Sequence, residues 1–312
     1  MSAPAPLTLA LGQYPIERVA GIVGFAEKLD RLATEAKARG ADLLVLGEYA
    51  AVEIAGGDVA APDVAAELAI VTAAAPALIE AMRAVARRHH LWLLPGTLPM
   101  TEAGPMTEAG PMAEAGPMAE AGVVRNRAPL IAPDGRVAFQ EKRVMTRFEA
   151  EAWHVSPGAA PAVFETPWGL IGIAICYDIE FPPLVRAQVE AGAWLILCPS
   201  CTDTMAGFNR VRLSARARAL ENQCYVAIAP TVGLAPWSAT LDVNRGYAGA
   251  FGPVDRGFPE DGILARGALD APDMVLVRLD PARLAAVRAE GGVRNHADWP
   301  APVPPPSRRR PL

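Results

Sequence analysis

Four cysteines in 312 residues are too few to staple a fold of this length. A disulfide scaffold is excluded, and a reducing cytoplasm is the expected location. Positive charge is also scarce, with 29 Lys and Arg against 34 Asp and Glu for a net charge of −5. No general basic field exists to draw in nucleic acid or an acidic membrane. The one basic cluster, Arg308-Arg309-Arg310, stands in a proline-rich tail and reads as solvated. Long hydrophobic runs are missing too. The charge-free stretch between Glu67 and Glu80 is Ala-rich and carries Pro76. It falls short of the roughly 20 apolar residues that a bilayer requires. The opening Met-Ser-Ala-Pro-Ala-Pro lacks the basic start and apolar core of a signal peptide.

What the chain has is apolar bulk, 52% hydrophobic against 20% charged, ample for a large buried core. Residues 7–11 form a short apolar run. Ile22, Phe25, Ala26, Leu29, Leu32, Ala33 and Ala36 then recur at three- and four-residue steps, predicting a helix closed by Gly40. The continuous apolar run 43–46 predicts a strand covered on both faces, ending at Gly47-Glu48. A helix over about 77–90 and a strand over 91–98 follow. Residues 101–122 are a hexad repeat, TEAGPM, TEAGPM, AEAGPM, AEAG. A proline every six residues forbids a continuous helix, so the repeat reads as a surface insertion. Pro133-Asp134-Gly135 marks a hairpin turn leading into Lys142, and a strand over 170–175 ends at Cys176. Helices over 183–191 and 208–222 alternate with strands over 194–197 and 225–229. Late strands are expected over 247–251 and 274–279. This alternation means an α/β protein. One domain over 1–285 is expected, followed by a proline- and arginine-rich tail over 286–312.

Three residues invite chemistry. Cys176 falls where Ile171 to Ile175 give way to Tyr177-Asp178, at the C-terminal end of a strand, where sites gather in α/β sheets. Taken alone, a cysteine in such a place is most often inert packing. Glu48 adjoins a buried strand, which is expensive for a carboxylate unless it is paired or working. Lys142, in Gln140-Glu141-Lys142-Arg143, would by itself read as solvated.

Together their order and surroundings resemble the nitrilase superfamily. The passages that carry the resemblance are Leu46-Gly47-Glu48-Tyr49, Asn126 through Pro133-Asp134-Gly135 to Glu141-Lys142, and Ile175-Cys176-Tyr177-Asp178 with Phe181-Pro182. Cys198-Pro199-Ser200 and the stretch Arg216 to Asn222 add to it. The resemblance spans residues 6 to 285. It implies a four-layer α-β-β-α sandwich that commonly dimerises, with Cys176 as nucleophile, Glu48 as base, and Lys142 with the Tyr177 backbone N–H as oxyanion donors. No metal or organic cofactor is implied. The family's second glutamate, placed seven residues before the glycine of a Pro-Gly pair, falls on Glu151, with Glu149 as competitor. Tyr49 and Cys201 are expected at the substrate.

The expected activity is hydrolysis of a small linear amide through a thioester, with no nucleic acid or membrane partner. A nitrilase, an amide-forming acyltransferase and a non-catalytic scaffold are the alternatives. Cys198-Pro199-Ser200-Cys201 has dithiol spacing, but no second pair completes a four-ligand zinc site.

Overall fold

The computed structural model describes residues 5–57, 63–101 and 122–299, so most of the hexad repeat and the arginine cluster lie outside the described residues. Two sheets carry the domain. The first is built on parallel strands β1 (Leu7–Pro15), β2 (Leu43–Val45) and β3 (Trp92–Leu94). Antiparallel β4 (Leu98–Thr101), β5 (Val124–Ile131) and β6 (Val137–Glu141) extend it beyond β3. The second is built on antiparallel β7 (Val163–Thr166) and β8 (Gly169–Ile173), followed by β9 (Leu195–Ser200) and β10 (Tyr225–Leu234) running parallel to β8. The short strands β11 (Val243–Asn244), β12 (Gly249–Phe251) and β13 (Ile263–Arg266) complete it. Strand β14 (Asp273–Leu279) returns to pair with β1 in the first sheet. The sheets join where β1 meets β10 at Tyr14↔Thr231 and Pro15↔Val232.

Alternation along the strands sets the layers. Leu7, Leu9 and Leu11 of β1, with Leu43 and Val45 of β2, join one core cluster with Ile171, Ile173, Leu195 and Val226 of the other sheet. Ala10 and Leu44, one residue out of phase, face the cluster that holds α1 (Gly21–Ala38) and α2 (Val64–His89). On the far side, Val185 and Val189 of α3 (Pro182–Glu190) and Val211, Ala215 and Ala219 of α4 (Met205–Asn222) pack on the second sheet. The expected α-β-β-α order is what results.

Three expectations change. The strand placed over 91–98 is two, β3 and β4, split at Pro95-Gly96, where Gly96 takes φ +91°. The helix expected to begin near 77 begins at Val64 and runs through Pro76. Pro76 sits on the solvent side, while Val71, Ala75, Leu78, Ile79 and Met82 hold the other side against the core. Among the described residues α2 is long and apolar enough, by length and composition, to cross a membrane, although that apolar stripe packs inside the protein. Finally, the boundary at 285 falls inside α5 (Pro281–Glu290). Asp280 caps this helix, and its Leu284 and Val287 are buried; α6 (Asn295–Asp298) follows.

Candidate active site

Glu48 is delivered by a crowded strand end. Past β2, Leu46 N–H donates to Leu94 O, and Glu48 N–H donates to Ser200 O of β9. Gly47 cannot be larger, since a Cβ there would lie 2.5 Å from the Thr231 nitrogen. A Cβ on Gly96 would lie 2.1 Å from Gly47 O. Tyr49, next in the chain, is held at φ 58°. Lys142 follows β6, and its N–H donates to Asn126 O on β5. Gly158 N–H closes on Lys142 O at 2.8 Å, where any Cβ would meet Glu141.

Cys176 lies three residues past the end of β8 and opens a 3-10 helix, Cys176–Glu180, at φ 47°. A left-handed backbone at a non-glycine residue costs about 1–2 kcal/mol, and such strain collects at functional sites. Two such residues, Tyr49 and Cys176, adjoin or carry the expected machinery. Asp178 ties this turn to the lysine loop by accepting N–H bonds from Arg143 and Val144 at 2.8–3.2 Å.

The three side chains converge. Lys142 Nζ lies 2.8 Å from Glu48 Oε1, and Cys176 is 4% exposed beside them. Its Sγ donates to Cys201 O at 3.4 Å. Burial and the Glu48 charge push the thiol well above its ordinary pKa. Glu48 is raised to about 7, mainly by burial and also by Glu149, against the pull of Lys142 and the Cys176 thiol. Burial pulls Lys142 down, but Glu149 and Glu48 outweigh it and hold the ammonium well above its usual value.

The loop glutamate that reaches Lys142 is Glu149, where Glu151 was expected. The loop carries a π-helical turn, Phe148–Ala152. Glu149 points inward and places its two oxygens 2.6 and 2.8 Å from Lys142 Nζ. Two residues are roughly half a helical revolution. Glu151 therefore faces solvent with its side chain 69% exposed, reaching Arg147 at 3.5 Å. The glutamate thus stands nine residues before Gly158, where seven was expected. Thr146 N and Oγ1 and the Tyr49 hydroxyl also donate to Glu149. Burial alone would raise this carboxylate; Lys142 and these donors bring it below its ordinary pKa.

Tyr49 is buried, with its hydroxyl on Glu149 and its ring edge-on to Trp153 at 5.3 Å. Cys201 is half-buried just past β9, and its Sγ donates to Asn244 Oδ1 at 3.4 Å. The Tyr177 ring turns away onto Phe181. Cys198 and Cys224 are buried. Sequence reading gave no role to Trp153, Asp178 or Asn126. The signal for Asn126 was an amide between two arginines in a strand, at the inward phase.

This geometry can be set beside known proteins. The probable hydrolase YhcX of Bacillus subtilis (strain 168) is 38% identical over 175 residues, covering 56% of this chain and 34% of that protein. An omega-amidase of Xenopus tropicalis is 29% identical over 159 residues, covering 48% of this chain and 51% of that protein. The matches thus span a third to a half of the length of these curated relatives. An amidase from Nesterenkonia sp. shares the fold with a TM-score of 0.66 at 25% identity, covering 96% of this chain and 98% of that one. The family model for carbon-nitrogen hydrolases matches residues 8–254, a span that includes the buried glutamates, the lysine between them and the strained cysteine. The chain belongs to the carbon-nitrogen hydrolase family.

Proposed function

We propose that this protein hydrolyses a small linear amide to a carboxylate and ammonia or an amine through a thioester on Cys176. The supporting observation is the lysine sandwich, in which Lys142 Nζ lies 2.8 Å from Glu48 Oε1 and 2.6 Å from Glu149 Oε2, with Cys176 alongside. In this reading Glu48 takes the thiol proton and the thiolate attacks the amide carbon. The oxygen charge that develops is met by the Lys142 ammonium and the Tyr177 backbone N–H, each donor worth roughly 3–4 kcal/mol in such sites. Glu48 returns the proton to the nitrogen, the carbon–nitrogen bond breaks, and the amine leaves. Water then attacks the thioester carbon, giving its proton to Glu48 and releasing the acid as Cys176 regains its hydrogen. Glu149, held ionised, keeps Lys142 charged and fixed. Cys201 and the Tyr49–Trp153 pair border the acyl group.

An amide is favoured over a nitrile. Family members that act on nitriles generally follow the nucleophile with Trp-Glu, whereas this chain has Tyr177-Asp178. Intact-mass spectrometry after incubation with a carboxamide library tests the reading. The expected product is an acyl adduct on Cys176, absent in Cys176→Ala. Faster ammonia release from nitriles than from matched carboxamides would overturn the amide assignment. Turnover retained in Cys176→Ala above about a thousandth of wild type would overturn the nucleophile.

A further inference from the structure

Glu48 has two oxygens, and the surroundings treat them differently. Lys142 Nζ approaches Oε1 at 2.8 Å, and Asn126 Nδ2 donates to the same oxygen at 2.9 Å. Oε2 is engaged by neither. Asn126 is fully buried on β5, directly beside Lys142, whose backbone N–H it accepts. The orientation of its amide is not free, because turning it over would set Oδ1 against a carboxylate oxygen. Oδ1 has no hydrogen-bond partner among the described residues. A fully buried amide with one unmet acceptor is costly, and a leucine of similar size would avoid that cost. A purely packing role therefore accounts poorly for the residue.

We infer that Asn126 is a positioning residue that, with Lys142, pins Glu48 by Oε1 and thereby assigns Oε2 as the oxygen exchanging protons with Cys176 and the leaving nitrogen. The inference rests on the amidase reading above. It adds a division of labour within one carboxylate. Two donors on Oε1 stop the side chain from rotating and concentrate its basicity on one atom.

The groups facing Glu48 come from several elements. Lys142 just past β6, Glu149 on the π-helical turn and Cys176 past β8 act on it directly. Tyr49 beside it, Cys198 on β9 and Cys201 just beyond are themselves influenced by its charge. Among the groups hydrogen-bonded to Glu48, Asn126 is a donor with no charge of its own. Its removal changes hydrogen bonding without changing the charge count.

The experiment measures two pH profiles, kcat/KM for a carboxamide and the alkylation rate of Cys176 by iodoacetamide, in wild type, Asn126→Leu and Asn126→Asp. Loss of one hydrogen bond to a charged group lowers kcat/KM about tenfold to a hundredfold in Asn126→Leu. It also removes stabilisation of the ionised carboxylate, so the acid limb of both profiles moves up by roughly one pH unit. Asn126→Asp preserves the shape but sets a second carboxyl against Oε1, so its limb moves further than that of Asn126→Leu. If Asn126→Leu fails to fold, the Asn126→Asp profile alone decides. A fall in kcat/KM with the acid limb unmoved in either variant means a structural role and overturns the inference, as does unchanged kinetics. Cys176→Ala and Glu48→Gln serve as separate controls. If they keep full turnover, the amidase reading itself fails, whatever Asn126 does.

Discussion

Lys142 stands between two carboxylates that their surroundings push in opposite directions. Glu48, raised to about 7 mainly by burial, is poised to exchange a proton near neutrality, whereas Glu149 is lowered and stays ionised. Such a separation fits the proposed roles, in which the raised group does the acid–base work and the lowered one holds charge. The pH dependence follows with a definite sign. In the proposed reaction Glu48 is the base and must be ionised in the free enzyme, so kcat/KM should rise with pH, about tenfold per unit, up to about 7 and then level. A profile flat from pH 5 to 8 would remove Glu48 from that role. The two neighbouring glutamates on the loop should separate cleanly by mutation. Glu149→Gln breaks a buried ion pair with Lys142, a loss on the order of 3–5 kcal/mol, and activity should fall at least about a hundredfold. Glu151→Gln removes a solvent-facing carboxylate and should leave both activity and Tm within error. Comparable losses in both variants would mean that the loop can present either residue.

At the scale of elements, the first turn of α2 reaches across to the far loop. Glu67 is buried and accepts Ser238 Oγ at 2.6 Å, Ala239 N at 2.7 Å and Thr240 N at 3.1 Å. That loop connects β10 to β11, where Asn244 takes the thiol of Cys201. Glu67→Ala leaves these donors without their acceptor, so a destabilisation of roughly 2–4 kcal/mol is expected. KM should rise more than kcat falls, because the loop leads into Asn244, which holds Cys201 where the proposed reading sets the acyl group, and carries none of the proposed catalytic side chains. A larger effect on kcat than on KM would place the loop in the chemistry. Legibility from sequence followed the same physical lines. Glu48 and Cys176 stood out because continuous apolar strands stop abruptly at a polar residue, whereas Lys142, solvated by its own surroundings in sequence, was legible only through the resemblance. Glu149 was misplaced in favour of Glu151 because a π-helical turn decides which of two glutamates points inward, and no periodicity marks a single such turn. The continuity of α2 was missed because Pro76 reads as a break, although tertiary packing on its buried side carries the helix through.

At the scale of the whole molecule, the site spans both halves. Glu48 and Lys142 follow strands of the first sheet, Cys176 follows a strand of the second, and the sheets meet at β1 and β10. Its geometry therefore depends on the integrity of the complete sandwich, including the segment past residue 285 that composition alone made look like tail. The described residues there do structural work. Val287 is buried, Arg288 Nε donates to Gln223 O, and His296 N–H donates to Gln223 Oε1. Gly292 N–H donates to Asp255 Oδ1, and Trp299 lies under the Arg186 guanidinium. A chain ended after residue 285 forfeits all of these. Burial of one valine contributes about 1.5–3 kcal/mol, and each hydrogen bond adds about 0.5–1.5 kcal/mol. The shortened chain should lose roughly 3–7 kcal/mol and melt on the order of 10 °C lower. Ending the chain after residue 299 keeps every one of these contacts and should leave Tm near that of the full chain. Thermal melts of the two shortened proteins beside the full chain decide the matter. Equal melting of all three would return the domain boundary to 285, whereas a loss confined to the shorter one places α5 and α6 inside the folding unit.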